Sequence, residues 1–566
     1  MLERERVRET DVLVIGTGTA GLRAAIEARR YGVDVTLVEK MEPGRVSNSA
    51  YAGGGFRSFR SQGLKAFHTF NDHFKRTIEI GDYLPNQRLA EIFTLEAYPR
   101  IVEMEEFGVD LRRPAAPHRG GQRVTLPMTK YARDQGVHVL SNTFITDLLT
   151  VGDAVAGAIG FDVFSGDLVV VRAKSTVLAT GGAAEIYSRN DTTANVIGEG
   201  YEMAYQVGAS MIDMEMVMPD PTLLAEPNFP TALFFRQTPV RERGVFRNAA
   251  GETYLLKFVK EHKLAAPDAT FSTDDRYQLR YGLEPGDIRE HESRAMVIEV
   301  LEGRGDDGAI LFDMTRVPRE HWSNEKSKST VSMLRGFPAD ERPIHMYPGM
   351  ICTLGGIRIN EDGETDVPGL YAAGEVTGGV HGAGRLGGNA LSVCIVFGAR
   401  AGRSAALRAR SIQTPDVDAT QVEERKERIR EITRRGRSDK GGVKKLTAEL
   451  KSLMWERVGV VRDGQGLETS LSEIDGIREE RLPYLYAENP RQLMRAVELM
   501  KMLDAGEMIA TAALMRRDSR TCHYRLDHPE TDNRNWLKNV LLRKEDGEMR
   551  LWTEPVVITR MPPPEA

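Results

Sequence analysis

Three glycines near the start of the chain have the spacing that lets a backbone approach a nucleotide phosphate. An apolar run leads into Gly16, Gly18 and Gly21, and a helical segment and a second apolar run follow. In this pattern Gly16 permits a tight turn, Gly18 admits a pyrophosphate, and Gly21 lets the helix pack on the strand. The helix N-terminus attracts phosphate charge, and Glu39, which closes the second run, can accept hydrogen bonds from ribose hydroxyls. The segment therefore predicts dinucleotide binding.

The elements that hold this turn belong to a chain long enough for several domains. Its 566 residues exceed the usual size of one hydrophobic core, so we expect two or more domains. A net charge of −6, from 76 basic and 82 acidic residues, gives no electrostatic case for binding nucleic acid. The N-terminal segment is charged, and no run approaches the roughly 18 apolar residues of a membrane span. We therefore expect a soluble, cytoplasmic protein that meets a membrane only through a partner.

The cysteine pattern constrains the redox chemistry. Cys352, Cys394 and Cys522 are the three cysteines, and none of them lies at CxxC spacing. The chain is therefore not expected to hold an iron–sulfur cluster of its own or a disulfide framework. Its histidines do not have metal-ligand spacing, so the sequence predicts no metal site.

Strand-to-glycine patterns recur along the chain and indicate a discontinuous nucleotide-binding domain. A small-residue loop at 44–55 could lie against a flat ring, an apolar run ends at 180–182, and residues 369–375 repeat that pattern. The intervening segment has scattered prolines, many charges and no strong periodicity, whereas helical periodicity dominates the last part of the chain. We predict a nucleotide-binding domain at 1–222 and 348–413, an inserted capping and substrate domain at 223–347, and a helical domain with a tail at 414–566.

Several motifs match one known family in order along nearly the whole chain. The most specific is 375–391, which reads Glu-Val-Thr-Gly-Gly-Val-His-Gly-Ala-Gly-Arg-Leu-Gly-Gly-Asn-Ala-Leu, and 180–182 and 198–200 add two more. The chain resembles the flavoprotein subunits of succinate dehydrogenase and fumarate reductase, whose relatives include flavocytochrome c fumarate reductase, L-aspartate oxidase and urocanate reductase. The resemblance implies FAD and an α/β fold, with a discontinuous Rossmann-type FAD-binding domain, an inserted α+β capping domain and a C-terminal helical domain.

The predicted cofactor contacts combine the glycine pattern with the family motifs. They are Gly16, Gly18, Gly21, Glu39, Lys40, Ser47, Asn48, Gly53, Gly54, Thr180, Gly181, Gly182, Glu199, Glu375, Asn389, Ala390 and Leu391. In family members that bind flavin covalently, a histidine occupies the position of Ser47. The resemblance therefore implies noncovalent FAD in this chain.

Two arginines carry the implied chemistry, which is hydride transfer between flavin N5 and a carbon β to a carboxylate. Arg385 matches the arginine that holds the substrate carboxylate in a bidentate fork. Arg289 lies where the family carries its proton-shuttling arginine, with Arg294 as the second candidate. An arginine usually titrates too high for acid–base work, so this role requires a buried site with a proton relay. The alternative is that Arg289 only forms salt bridges in solvent.

Two histidines that hold the substrate in the family are replaced in this chain. Asp220 and Ile351 stand at their positions, and Arg236 and Gln237 stand where the family has a threonine and a relay glutamate. A negative Asp220 would repel the second carboxylate of a dicarboxylate, because like charges about 4 Å apart interact strongly at low dielectric. Fumarate and succinate are therefore disfavoured substrates. The alternative is that Asp220 only caps a turn in residues 219–222.

The replacements leave two ways to bind a substrate. Arg236 could restore the lost positive charge from another direction, or the substrate could have one carboxylate and a cationic or hydrogen-bond-donating far end, as urocanate-like 2-enoates have. His345 is a candidate replacement donor, and His381 is a candidate contact to the flavin ring. Cys352 is assigned no role, because a free cysteine is more often a small buried hydrophobe.

The sequence therefore favours an FAD-dependent reductase or dehydrogenase of 2-enoates that exchanges electrons with an iron–sulfur partner. Without CxxC or haem-binding CxxCH motifs, the second redox centre must lie on another protein. Two other interpretations stay open: an oxidase of the L-aspartate oxidase kind, and an electron-transfer flavin subunit whose substrate site has decayed. Peroxide release with amino acids would indicate the first, and a flavin that no enoate affects would indicate the second.

Overall fold

A computed structural model of the chain describes residues 1–53, 55–59, 69–111, 120–226, 244–255, 258, 289–324, 327, 331, 334 and 336–563. The strands in these ranges are β1 (Glu5–Ile15), β2 (Val35–Val38), β3 (His138–Leu140), β4 (Thr143–Val151), β5 (Ala154–Asp162), β6 (Leu168–Leu178), β7 (Met211–Ile212), β8 (Val217–Leu224), β9 (Val245–Arg247), β10 (Ile310–Asp313), β11 (Ile344–Thr353), β12 (Gly356–Ile357), β13 (Leu370–Ala372), β14 (Lys538–Glu545) and β15 (Glu548–Pro555). The helices are α1 (Thr19–Arg30), α2 (Asn48–Tyr51), α3 (Phe70–Ile80), α4 (Gln87–Glu103), α5 (Gln122–Asp134), α6 (Glu199–Gln206), α7 (Arg289–Leu301), α8 (Arg319–Trp322), α9 (Asn389–Ser411), α10 (Ala419–Arg434), α11 (Val443–Val458), α12 (Gly464–Glu480), α13 (Pro490–Met515) and α14 (Asn533–Trp536).

The largest sheet brings together strands from three regions that are far apart in the sequence. Its strand order is β3-β2-β1-β6-β5-β4, and β13 pairs with the last residues of β6. Strands β1, β2, β6 and β13 are parallel, so their carboxyl ends lie at one edge of the sheet. The residues that follow these strands, Gly16, Glu39, Ala179 and Ala373, therefore meet at that edge. Open parallel sheets bind their ligands there.

Helices α1 and α9 pack closely against each other on this sheet. A Cβ at Gly398 of α9 would lie 2.6 Å from the Ala20 carbonyl oxygen, and one at Gly402 would lie 2.3 Å from that of Ala24. Larger residues at these two positions would therefore separate the helices. By length and composition α9 could cross a membrane, but 67% of its most apolar window is buried inside the protein. It is a core helix.

The inserted segment and the two strands that flank it, β8 and β11, form a second, antiparallel sheet of order β8-β11-β10-β9, on which α7 packs. Its hydrophobic core is separate from the main one and includes Phe246, Met296 and Phe312. In the register between β8 and β11, Asp220 lies opposite Gly349. Asp220 therefore belongs to a strand, and the alternative that it caps a turn is wrong.

The C-terminal segment combines helices with a hairpin. Helices α11, α12 and α13 pack together, and α13 buries residues such as Leu499 and Met508 along its 26-residue length. The hairpin β14–β15 then joins a third sheet of order β12-β7-β14-β15, so it pairs with a strand that precedes the inserted segment. The hairpin lies in the region predicted as a helical domain with a tail. The predicted α/β fold class is confirmed, whereas the four domain ranges stay predictions.

Candidate active site

A cleft of about 310 Å³, called the central cleft below, opens where the parallel strands end. Gly16 has a φ of +108°, and a Cβ there would lie 2.4 Å from the Ala179 carbonyl oxygen. A Cβ at Gly21 would lie 1.9 Å from the Gly16 carbonyl oxygen, so α1 packs directly on the turn. Gly18, immediately before α1, lines the cleft. The N-terminus of α1 therefore faces the cleft, where its N–H groups and dipole favour a phosphate.

Most of the predicted cofactor contacts line the central cleft. They are Gly16, Gly18, Glu39, Lys40, Ser47, Asn48, Gly53, Thr180, Gly181, Glu199, Glu375, Ala390 and Leu391. Gly54 lies outside the described residues. The fold therefore brings residues from seven separate segments of the sequence to one surface.

Three described residues among the predicted contacts do not line the cleft. Gly21 lies beneath the glycine turn, and a Cβ at Gly182 would lie 2.5 Å from Glu375 Oε1, so Gly182 makes room for that carboxylate. Asn389 is fully buried, with its Oδ1 2.9 Å from His73 Nε2. Its side chain therefore ties the start of α9 to α3 instead of facing the cleft.

Glu39 and Lys40 are held by hydrogen bonds at the end of β2. Glu39 Oε2 accepts hydrogen bonds from the backbone N–H of Thr17 (3.0 Å) and from its hydroxyl (2.5 Å), which braces the glycine turn. Lys40 Nζ lies 2.8 Å from Glu199 Oε1 and 3.1 Å from Glu498 Oε1. Burial alone would lower the pKa of Lys40, but the two carboxylates outweigh it and hold the pKa above its ordinary value. The sequence analysis missed Glu498, which lies on α13 without any local motif.

Asn48 and Glu375 link the small-residue loop to the loop before α9. Asn48 Nδ2 donates to Glu375 Oε2 (3.3 Å), and Asn48 Oδ1 accepts from the Thr193 backbone N–H (3.1 Å). Burial raises the pKa of Glu375. Ser47 Oγ accepts from the Ala50 N–H (3.1 Å) and so caps α2. The serine at the family's flavin-attachment position therefore stabilises its own loop.

The cleft has open hydrogen-bonding atoms that fit a dinucleotide. Glu199 Oε2 and Thr180 Oγ1 are buried and lack a partner among the described residues, although both residues line the cleft. Buried polar atoms are normally satisfied, so these two indicate a bound molecule with hydroxyl or amide groups. Together with the open N-terminus of α1, they fit the ribose, phosphate and ring groups of FAD.

Arg385 lines the cleft from the loop before α9. Its Nη2 lies 3.6 Å from Cys352 Sγ, and its Nε is buried without a hydrogen-bond partner. Among the described residues, no carboxylate lies within ion-pair distance of this guanidinium. Burying a cation without a counter-ion is unfavourable, so the site is suited to a ligand anion.

Arg289 and Asp220 form a buried pair beside this loop. Arg289 Nη1 lies 4.0 Å from Asp220 Oδ2, and the two residues are 8% and 3% exposed. The Thr222 hydroxyl donates to Asp220 Oδ1. A Cβ at Gly387 would lie 3.4 Å from Arg289 Nη2, which puts Arg289 next to the loop that carries Arg385. The alternative of a solvent-exposed Arg289 is therefore wrong.

Arg294, the second candidate for the proton shuttle, has a structural environment. Its Nη2 donates to the Thr521 carbonyl oxygen (3.0 Å), and its guanidinium lies 4.1 Å from the centroid of the Tyr524 ring. Burial lowers the pKa of Arg294 to about 10. These contacts indicate that Arg294 anchors the C-terminal segment. Arg236 and Gln237 lie outside the described residues.

The remaining candidates divide between the cleft and the capping sheet. His345 does not reach the cleft, because its Nδ1 lies 2.9 Å from Glu226 Oε1 and its Nε2 lies 3.0 Å from Asp306 Oδ2. The hypothesis that it replaces a lost substrate donor is therefore wrong. His381 lines the cleft, and burial together with the charge of Arg385 lowers its pKa to about 3, so its imidazole is neutral. Ile351 also lines the cleft and presents an apolar surface where the family has a histidine.

The fold and the site together define an FAD-dependent oxidoreductase. Residues 11–391 match the FAD binding domain family, and residues 447–566 match the fumarate reductase flavoprotein C-terminal family. The chain belongs to the family of fumarate reductase and succinate dehydrogenase flavoproteins, which act on CH–CH groups, and FAD is its cofactor.

Individual relatives match over almost their whole length. The chain is 31% identical to one subunit of the CoM/CoB fumarate reductase of Methanothermobacter marburgensis, covering 95% of this chain and 97% of the relative. It is 28% identical to the fumarate reductase flavoprotein subunit of Haemophilus influenzae, over 98% of this chain and 95% of the relative. The FrdA structure of a variant E. coli quinol fumarate reductase superposes with a TM-score of 0.85 at 26% identity, covering 99% of both chains.

Proposed function

We propose that this protein reduces, or in reverse forms, the carbon–carbon double bond of a 2-enoate whose carboxylate is held by Arg385. The observation that carries the proposal is the guanidinium of Arg385, which lines the central cleft and contacts no carboxylate among the described residues. Its planar fork suits a bidentate carboxylate. FAD, when bound, supplies hydride donation and acceptance. Cys352, whose Sγ lies 3.6 Å from Arg385 Nη2, is a thiol whose pKa is raised by burial, so it leaves the cation available.

Arg289 is the proton donor in this proposal. It lies next to the Arg385 loop and is buried, so its N–H groups can reach a substrate held by Arg385 without competition from bulk water. Water exclusion strengthens each interaction in the site. Neutral His381 lines the same cleft and can donate a hydrogen bond without adding charge.

The charge arrangement favours a substrate with one carboxylate. Arg289 already has Asp220 within ion-pair distance, whereas Arg385 has no carboxylate within that distance among the described residues. A second substrate carboxylate near Asp220 would meet a like charge. Ile351 adds an apolar wall. We therefore favour 2-enoates whose far end is neutral, cationic or hydrogen-bond-donating over fumarate.

The redox partner in this proposal is an iron–sulfur protein. All three cysteines are buried, and the described residues contain no cluster of three or more His, Cys, Asp or Glu side chains that could hold a metal ion. The relatives above are named as subunits, which supports a multi-subunit assembly. In that arrangement the chain is cytoplasmic and reaches a membrane only through its partner.

A titration of the reduced flavoprotein tests the proposed function. The FAD-loaded protein is reduced with dithionite under anaerobic conditions and titrated with fumarate, urocanate and a panel of other 2-enoates while the flavin absorbance is followed. We expect a monocarboxylate enoate to restore the oxidised spectrum and fumarate to be slower. Faster reoxidation by fumarate would contradict the substrate preference, and no response to any enoate would contradict the reaction. Rapid peroxide release with amino acids in air would instead indicate an oxidase.

Noncovalent attachment gives a second test. Because Ser47 uses its hydroxyl to cap α2 and occupies the family's attachment position, we expect acid precipitation of the holoprotein to release all of its FAD into the supernatant. The measurement is flavin absorbance in supernatant and pellet. The matched control is the variant Ser47→Ala, which should behave in the same way. Flavin that stays with the washed pellet would show a covalent bond.

A further inference from the structure

We infer that Asp220 positions Arg289 and passes to it a new proton in place of the one that Arg289 gives to the substrate, an inference that rests on the proposed function. An arginine that donates a proton to carbon must regain one before the next turnover. The carboxylate of Asp220 faces the guanidinium at 4.0 Å and is nearly inaccessible to solvent. Asp220 is therefore a positioning and relay residue, which differs from a role in gripping substrate.

The strand geometry keeps this carboxylate in place. Asp220 lies inside β8 opposite Gly349 of β11, and the hydroxyl of Thr222, two residues further on the same side of the strand, donates to its Oδ1. The other oxygen, Oδ2, lies 4.0 Å from Arg289 Nη1. At 4.0 Å the two atoms are beyond direct hydrogen-bond distance, so proton return needs a small approach or one bridging water.

The surroundings contain other charged and titratable groups that act on the same site. Glu290, next to Arg289 on α7, interacts electrostatically with Arg385, and Arg289 and Arg385 both act on the Cys352 thiol of β11. Burial raises the pKa of Cys352, so this thiol is a weak proton donor compared with a carboxylic acid. Asp220, in contrast, is a carboxylate within ion-pair distance of Arg289.

The proton balance of the step is simple. Arg289 gives one N–H proton to the substrate carbon next to the carboxylate. The ionised carboxylate of Asp220 then takes a proton from solvent and passes it to the same guanidinium nitrogen. Each turnover therefore consumes one solvent proton and leaves Arg289 charged and Asp220 ionised, as they were at the start. The hydride comes from the reduced cofactor in the proposed reaction. The reverse direction runs the same transfers backward.

The test compares Asp220→Asn and Asp220→Glu with the control Asp307→Asn. Asp307 is an exposed position of the capping segment, and its left-handed backbone, with a φ of +49°, also suits asparagine. The substrate is the enoate that reoxidises the wild-type flavin fastest in the titration proposed above. The rate of this reoxidation is measured for each variant from pH 5 to 9. We expect Asp220→Asn to lower the maximal rate about 100-fold with little change in substrate affinity and to remove one limb of the pH profile. Asp220→Glu should retain most of the maximal rate. Its pH profile should keep the limb that Asp220→Asn loses, at a shifted pH.

The alternative outcomes are distinct. An unchanged maximal rate with weaker substrate binding would mean that Asp220 only recognises substrate, and an unchanged pH profile in Asp220→Asn would overturn the relay. If no enoate reoxidises the wild-type protein, the proposed function fails on its own. The pairing is then tested by thermal unfolding of Asp220→Asn, Arg289→Lys and the double variant, where additive effects would contradict it and non-additive effects would support it.

Discussion

Arg385→Gln is expected to lower kcat/KM for the accepted enoate about 1,000-fold while the protein retains its FAD. Removing one partner of a buried, hydrogen-bonded charge pair costs roughly 2–5 kcal/mol, and about 1.4 kcal/mol is a factor of ten. Arg385 lines the cleft without a protein carboxylate among the described residues, so the lost interaction is with substrate rather than with the fold. Steady-state kinetics and the flavin absorbance of the purified variant measure both effects.

Arg385→Lys separates charge from geometry. Lysine keeps the positive charge but lacks the planar fork that binds both carboxylate oxygens. We therefore expect an activity between that of the wild type and that of Arg385→Gln, with most of the change in substrate affinity. Arg410→Gln is the matched control, because Arg410 is exposed in the last turn of α9 and should have wild-type kinetics. Normal kinetics in Arg385→Gln would contradict the carboxylate site.

The glycine turn could be predicted because it depends on residues that are close in sequence. Gly16 and Gly21 sit at either side of one strand–helix junction, and each is required by contacts within that junction or with the neighbouring strand. The recurring strand-to-glycine pattern also indicates parallel strands, because the glycine turns that hold one ligand must follow strands that end at the same edge of the sheet. Strands β1, β2, β6 and β13 have this arrangement. The cofactor half of the site could therefore be predicted from patterns of residues that are close in sequence.

A similar local signal marks the C-terminal hairpin. Asp546 and Gly547 connect β14 to β15 with φ values of +52° and +89°. An Asp-Gly pair between two strand-like runs is the usual sign of a two-residue hairpin. The tail could therefore have been predicted as a hairpin, although its pairing with β7 could not.

The substrate half depended on contacts that no local pattern encodes. The family motif that includes Asn389 suggested a cofactor contact, but the side chain of this first residue of α9 turns to His73 of α3. Asp220 and Arg289 come from separate elements, and only the packing of α7 on β8 brings them together. Lys40 and Glu498 are 458 residues apart. Tertiary packing decides which faces of helices meet. Such pairs can therefore be identified only from the structure.

The buried cluster at Lys40 links the cofactor cleft to the C-terminal helices, and Lys40→Met tests this link. The change removes the cation between Glu199 and Glu498 at a site where Lys40 and both carboxylates are less than 9% exposed. Breaking a buried ion pair by removing one partner costs about 3–5 kcal/mol. We expect the free energy of unfolding to fall by this amount and FAD to bind more weakly, as measured by urea unfolding and flavin titration.

The pH dependence of Lys40→Met identifies which carboxylate loses its partner. Glu498 keeps Arg495, whose Nη1 lies 2.7 Å from Glu498 Oε2, whereas Glu199 Oε2 has no partner among the described residues. Burial already raises the pKa of Glu199, and loss of Lys40 raises it further. A folded-state pKa above the unfolded value gives stability that is present at low pH and lost as pH rises. The deficit of Lys40→Met should therefore be smaller at pH 5 than at pH 8. Lys445→Met, at an exposed lysine of α11, is the control, and a deficit independent of pH would contradict the assignment to Glu199.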